Sequence, residues 1–112
     1  GITVLFKCRK SGESATTDIG VPASIEFVRL VERLCSAYGQ EVAGFKYWSQ
    51  AAERDVEVTE KDHFDECVKA VCEACQKQKI DEGLCDITII FPAQTTIQRL
   101  RSGGGKKEGQ QK

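Results

Sequence analysis

Ile2-Thr3-Val4-Leu5-Phe6-Lys7-Cys8-Arg9 opens the chain, and its alternation decides how the rest is read. Ile2, Val4, Phe6 and Cys8 alternate with Thr3, Leu5, Lys7 and Arg9, which is the period of a half-buried strand. One face enters a core. The other holds Lys7 and Arg9 side by side, aimed at solvent or at a partner. A cationic strand face at the start of a small domain points to recognition rather than catalysis.

The segments that follow supply the rest of a small sheet. Lys10-Ser11-Gly12-Glu13 reads as a turn, and residues 14–21, rich in Thr and ending in Ile19 and Val21, read as the second strand of a hairpin closed by Pro22. Ser24 can cap a helix over residues 25–38, with Phe27, Leu30, Val31, Leu34 and Tyr38 as its buried stripe and Gly39 as its stop. Glu26, Arg29, Glu32 and Arg33 fall on its wet side. Residues 45–48 are aromatic and short, a third strand; residues 55–58 alternate, a fourth. Thr59-Glu60-Lys61-Asp62 has the spacing of a capping box. A second helix over residues 62–77 would turn Phe64, Val68, Val71 and Cys75 inward. Residues 85–91 read as a continuous apolar strand ended by Pro92.

The order is strand, strand, helix, strand, strand, helix, strand. It predicts an α+β architecture of the ubiquitin-like β-grasp type, a mixed five-stranded sheet with two helices on one face. The domain is expected over residues 2–92. Residues 93–112, mostly Gly, Lys and Gln toward the end, are expected to form a flexible tail or linker.

Composition limits the function classes. The chain has 112 residues, enough for one domain with a modest core. Its 16 basic and 17 acidic residues nearly cancel, which disfavours a non-specific nucleic-acid binder. No apolar run approaches the roughly 20 residues that span a bilayer. No signal peptide is expected, with Gly1 in place of Met suggesting a cut start.

At this point the chain resembles the PB-one (Phox and Bem homology) family, interaction modules of signalling scaffolds and kinases. The basic subclass of that family carries apolar-x-apolar-Lys on its first strand and a Gly five residues on. Val4-Leu5-Phe6-Lys7 and Gly12 match that spacing, and the second helix before the last strand is also similar to the family. The resemblance covers residues 2–91. It implies a protein–protein interaction module of a signalling or scaffold protein, docking through a basic strand face onto an acidic-face partner domain. Lys7 would be a positioned charge facing carboxylates. Arg9 and Lys10 would add to its field, and Arg29 and Arg33, four apart on a helix, would extend it unless they serve as intrahelical partners of Glu26 and Glu32.

The acidic subclass has a carboxylate cluster after the third strand. Here Trp48-Ser49-Gln50-Ala51-Ala52-Glu53-Arg54-Asp55 stands there instead. Glu53, Asp55, Asp62, Asp65 and Glu66 remain as scattered acids, interrupted by Arg54 and Lys61. The first four could form a weak acidic face and allow weak self-association.

Six cysteines could form a disulfide framework. Cys8, Cys35, Cys72 and Cys75 instead occupy apolar periodic positions, where a free thiol packs as a small hydrophobe. A reducing, cytoplasmic setting follows from that reading. Cys67, Cys72, Cys75 and Cys85 have the spacing of a plant-type iron–sulfur site, but an uninterrupted helix cannot wrap a cluster. Zinc on Cys72, Cys75 and Cys85 lacks a fourth ligand. No metal and no cofactor is expected. His63, the only histidine, reads as a surface residue, and no nucleophile motif accompanies it, so no enzyme activity is expected. One rival from another class remains. Arg99-Leu100-Arg101-Ser102-Gly103-Gly104 would suit a ubiquitin-like modifier precursor processed near Gly104, against the plainer reading of Ser102 to Lys107 as linker.

Overall fold

In the computed structural model, residues 1–92 are described. They form seven elements: β1 (Thr3–Lys10), β2 (Thr17–Pro22), α1 (Phe27–Tyr38), β3 (Gly44–Ser49), β4 (Arg54–Val58), α2 (Lys61–Gln78) and β5 (Glu82–Ile90). The strands lie in the order β2-β1-β5-β3-β4. β1 and β2 pair antiparallel, β1 and β5 parallel, and β3 pairs antiparallel with both β5 and β4. This is the five-stranded mixed sheet of a β-grasp, as the element order predicts. The tail expectation for residues 93–112, and the modifier reading that depends on it, lie outside the described residues.

Strand alternation builds one core on one side of the sheet. Val4, Phe6 and Cys8 of β1 and Cys85, Ile87 and Ile89 of β5 are buried, and Ile19, Val21, Phe45 and Val58 join them from the other strands. Leu30 and Leu34 of α1 and Phe64 and Cys67 of α2 close over them. Phe6, Phe45 and Phe64 meet at ring-centroid distances of 5.7 to 6.5 Å, with Phe27 at 5.4 Å from Phe64. Burying such rings stabilises the fold by about 1.5–3 kcal/mol per side chain.

Several boundaries differ from the sequence reading. α1 begins at Phe27, because the Ile25 amide donates to the Pro22 carbonyl and spends Ser24 inside a turn. Glu26 holds the cap position without a side-chain bond. The capping box before α2 does not form either. Val58 is held opposite Phe45 in the sheet, so the chain needs Thr59 and Glu60 to turn, and the cap falls on Glu60. Cys67 joins the inward stripe of α2 fully buried, three residues after Phe64, whereas Val68 and Val71 are only half-buried.

β5 starts three residues before the expected Cys85. Asp81 accepts from the Thr3 amide, and Gly83 pairs opposite Val4. A side chain at Gly83 would collide with Val71 Cγ1 and reach within 2.8 Å of Cys75 Sγ, so glycine there lets α2 rest directly on the strand. Glycine also has a backbone role at Gly12, where φ is 81° in the turn that leaves β1.

Candidate functional site

The helices cover one face of the sheet and leave the other open. On β1, Leu5, Lys7 and Arg9 face this open side, and each is half-buried because its stem lies along the neighbouring strands. Register then decides what each charge meets. Lys7 sits between Asp18 on β2 and Asp86 on β5. Its Nζ is 3.7 Å from Asp18 Oδ1, with the two side chains 37% and 50% exposed. Arg9 reaches diagonally to Asp86, Nη2 to Oδ1 at 3.5 Å. The two leading cations share one face, as the alternation requires, but each already holds a carboxylate of its own chain. The sequence reading missed both carboxylates, since only the strand register brings them there.

The other named cations lie elsewhere. Lys10 falls on the opposite parity of β1, and its ammonium lies 5.9 Å from the Tyr38 ring centre and 6.0 Å from that of Phe91. Arg29 and Arg33 belong to α1, in the layer on the far side of the sheet from Lys7. Arg29 there pairs with Glu32 at 3.3 Å. The structure therefore joins Lys7 with Arg9 and separates both from Lys10, Arg29 and Arg33.

The scattered acids are also divided. Asp55 stands on the open face, opposite Trp48. Glu53 occupies the β3–β4 connection with a left-handed φ of 54°. Asp62 and Asp65 lie on the first turns of α2, where Asp65 bonds Lys61 at 2.7 Å. That bond holds the Lys61 ammonium above its ordinary range. His63 lies 3.9 Å from Glu60 and is exposed, as expected of a surface residue.

Two apolar side chains complete the open face. Trp48 is 58% exposed and Leu84 57% exposed, and Leu84 pairs opposite Leu5. The signal for Trp48 was present in β3, where Phe45 and Tyr47 turn to the core and Lys46 and Trp48 turn away. Leu84 could not be found, because the last strand was read as starting after it. Lys7, Arg9 and Lys46 are the cations of this face; Asp18, Asp55, Glu57, Glu82 and Asp86 are its carboxylates. The face is thus mixed in charge rather than basic.

Two of the buried thiols are held in their protonated form. All six cysteines are free. Burial pushes the Cys8 thiol up to about 12, with the Asp18 carboxylate adding to it. Contact with the Cys85 thiol, then burial, pushes Cys67 up as well. Both stay protonated and unreactive at neutral pH. Among the described residues, no group of three or more His, Cys, Asp or Glu side chains is arranged to hold a metal. No helix among them is long and apolar enough to cross a membrane.

Comparison with known proteins bears on the fold. No family model matches the sequence, and no curated protein matches it. Among solved structures, a chain described as "AtNBR1-PB1 domain" is similar, with a TM-score of 0.53 and 11% sequence identity. The match covers 80% of this chain and 99% of that one. At that identity the likeness is one of fold, and the fold is that of a PB-one-like β-grasp.

Proposed function

We propose that this chain is a protein–protein interaction module of the PB-one kind, which brings a parent scaffold or signalling protein to a partner carrying a cluster of carboxylates. The observation that carries the reading is the state of Lys7. It stands on an interior strand, faces the side that no described helix covers, and among the described residues is held only by a half-exposed carboxylate at 3.7 Å. An exposed pair of this kind contributes about 0–1 kcal/mol. A partner carboxylate can therefore replace Asp18 at little cost. Arg9 would add to the field in the same way, by exchanging Asp86. Gly12 supports the motif with a physical reason, since its positive φ turns the chain directly after β1.

Lys10, Arg29 and Arg33 then contribute through long-range attraction rather than contact, and such steering weakens with salt. Asp55 alone among the scattered acids shares the face with Lys7, so an acidic docking surface from Glu53, Asp55, Asp62 and Asp65 would be a weak one. A cytoplasmic setting suits six free thiols. We assign the module no catalytic step.

The test is a capture experiment with the full chain on a support. Proteins retained at low salt should be released as salt rises, and Lys7→Ala should bind them more than tenfold more weakly, about 1.4 kcal/mol. Retention that is indifferent to Lys7→Ala would remove the basis of the reading.

A further inference from the structure

The helical layer carries an apolar surface that docking through Lys7 does not use. Where the chain enters α1, beside the first half of α2, a groove of about 660 Å³ opens between the two. Ile25, Phe27 and Val28 line one side of it; Phe64 and Val68 line the other. Phe27 touches Phe64 at the floor, with ring centres 5.4 Å apart. Above them the turn after Pro22 offers only the small Ala23 and Ser24, which leave the space unfilled. Val28 is 57% exposed at the rim, and Ile25, Phe27 and Val68 are half-buried.

The rim is charged unevenly along its length. At the first turn of α2, Lys61 bonds Asp65 at 2.7 Å, and Asp62 and Glu26 also lie near enough to act on it. The bonded pair cancels, so Asp62 and Glu26 leave that end acidic. Lys69 stands two turns further along α2, about 12 Å from Lys61. Asp65 turns to Lys61 rather than to Lys69, and among the described residues Lys69 is in no ion pair. The groove therefore has an apolar floor, a cation at one end and carboxylates at the other.

This arrangement selects among occupants. An extended segment would lay unpaired N–H and C=O groups against apolar walls, and the interior of α2 has no backbone groups to spare for them. A helix brings its own bonds. Its ordinary charge bias also fits, because acids favour a helix's first turn and bases its last. Laid antiparallel to α2, such a helix sets its acidic start beside Lys69 and its basic end beside Glu26 and Asp62. The two turns between them carry apolar side chains at i, i+4 and i+7 down onto Val68, Phe27 and Val28. A small molecule would need opposite charges about 12 Å apart joined by an apolar body.

We propose that this groove is a docking site in its own right, and that its occupant is a short amphipathic helix of a partner protein, antiparallel to α2, with acid in its first turn and base in its last. It lies across the sheet from Lys7, so one chain can hold an acidic partner on the open face and this helix on the other side.

The test uses a synthetic helix of about twelve residues, stapled on its outer face, with leucines at i, i+4 and i+7, Glu in the first turn and Arg in the last. It is titrated to about 1 mM into the full chain while backbone amide resonances are followed, and binding should be half-complete below about 0.3 mM. Val28, Val68 and Lys69 should shift, while Lys7 and Trp48 stay in place. Val28→Asp, at an exposed position that the core does not need, should weaken binding at least about fivefold. Lys69→Glu should weaken it up to about fivefold and should favour a probe with Arg first and Glu last by a similar factor. No binding at 1 mM would overturn the proposal, as would shifts centred on Trp48 and Leu84 or indifference to both charge reversals. Other occupants would overturn it too. Groove amides that move with protein concentration alone would mean a second copy. Groove amides that move when Ile97 and Leu100 are both changed to Ser, with no probe present, would mean the chain's own end. Lys7→Ala should leave the probe's affinity unchanged, so failure here is distinguishable from failure of docking through Lys7.

Discussion

Gly83→Ala should destabilise the domain, and adding Val71→Ala to it should cost little or nothing more. Gly83 is buried at the start of β5, opposite Val4, directly under α2. Its backbone is not in the left-handed region, so alanine strains nothing there by itself. In an open strand the change would stabilise by about 0.5–1 kcal/mol, through the unfolded chain. Here the new Cβ overlaps Val71 Cγ1 and comes within 2.8 Å of Cys75 Sγ. Overpacking of this kind costs about 1–3 kcal/mol. The net loss should be about 1–2 kcal/mol, or roughly 4–12 °C in Tm. Val71 is half-buried, and trimming it to alanine alone should cost about 1 kcal/mol. The double variant removes the worse of the two clashes, so the pair should couple favourably by about 1 kcal/mol. Urea unfolding followed by far-ultraviolet circular dichroism reads all four proteins. Gly44→Ala is the contrast: its Cβ would strike the Val58 carbonyl oxygen and lie within 3.1 to 3.2 Å of Val58 and Thr59 backbone carbons, which no side-chain change can relieve. It should cost more than Gly83→Ala and show no coupling to Val71→Ala. Additive effects at Gly83 and Val71, or a neutral Gly83→Ala, would refute the seating of α2 on β5.

The remaining expectations concern charge and protons. Asp18→Asn frees Lys7, and the 3.7 Å pair is worth about 1 kcal/mol at the dielectric of water. Stability should fall by no more than that, while a partner bound through Lys7 should bind up to about fivefold tighter; weaker binding would count against the exchange of carboxylates. The alkaline limb follows from the thiols. In the fold Cys8 is pushed from 9.0 up to about 12, and Cys67 is also raised, so above pH 9 the unfolded chain ionises while the fold does not. The stability these thiols contribute is complete below pH 9 and is lost as pH rises toward 12, at up to about 1.4 kcal/mol per pH unit for each thiol. Urea midpoints at pH 8 and pH 10.5 check the sign, and a higher midpoint at pH 10.5 would contradict it.

Much of the fold was legible because period carried it. The alternation of Val4, Phe6 and Cys8, and the helical spacing of Leu30 and Leu34, reflect burial on one side, which a sequence records directly. The ends of elements were less legible. Ser24 and Thr59 have cap chemistry, but the turn after Pro22 and the pairing of Val58 move each helix start beyond them. Gly83 lay outside the strand read from sequence, and its place in β5 is explained only by α2, which needs the space. The candidate site was legible in part for a similar reason. That Lys7 and Arg9 share a face follows from period two along one strand. That Asp18 and Asp86 neutralise them depends on which strands are neighbours and in what register, and no local pattern states this. Leu84 and Trp48 became a shared surface only through the same register.

Lysine footprinting of a captured complex tests the role of Lys7 most directly. Amines of the full chain would be labelled by reductive methylation at low micromolar concentration, with and without the captured partner. Lys7 should lose most of its labelling in the complex, while Lys69, exposed on α2, keeps its own. A complex in which Lys7 labels as in the free chain and Lys69 is protected would contradict the assignment of docking to the open face of the sheet.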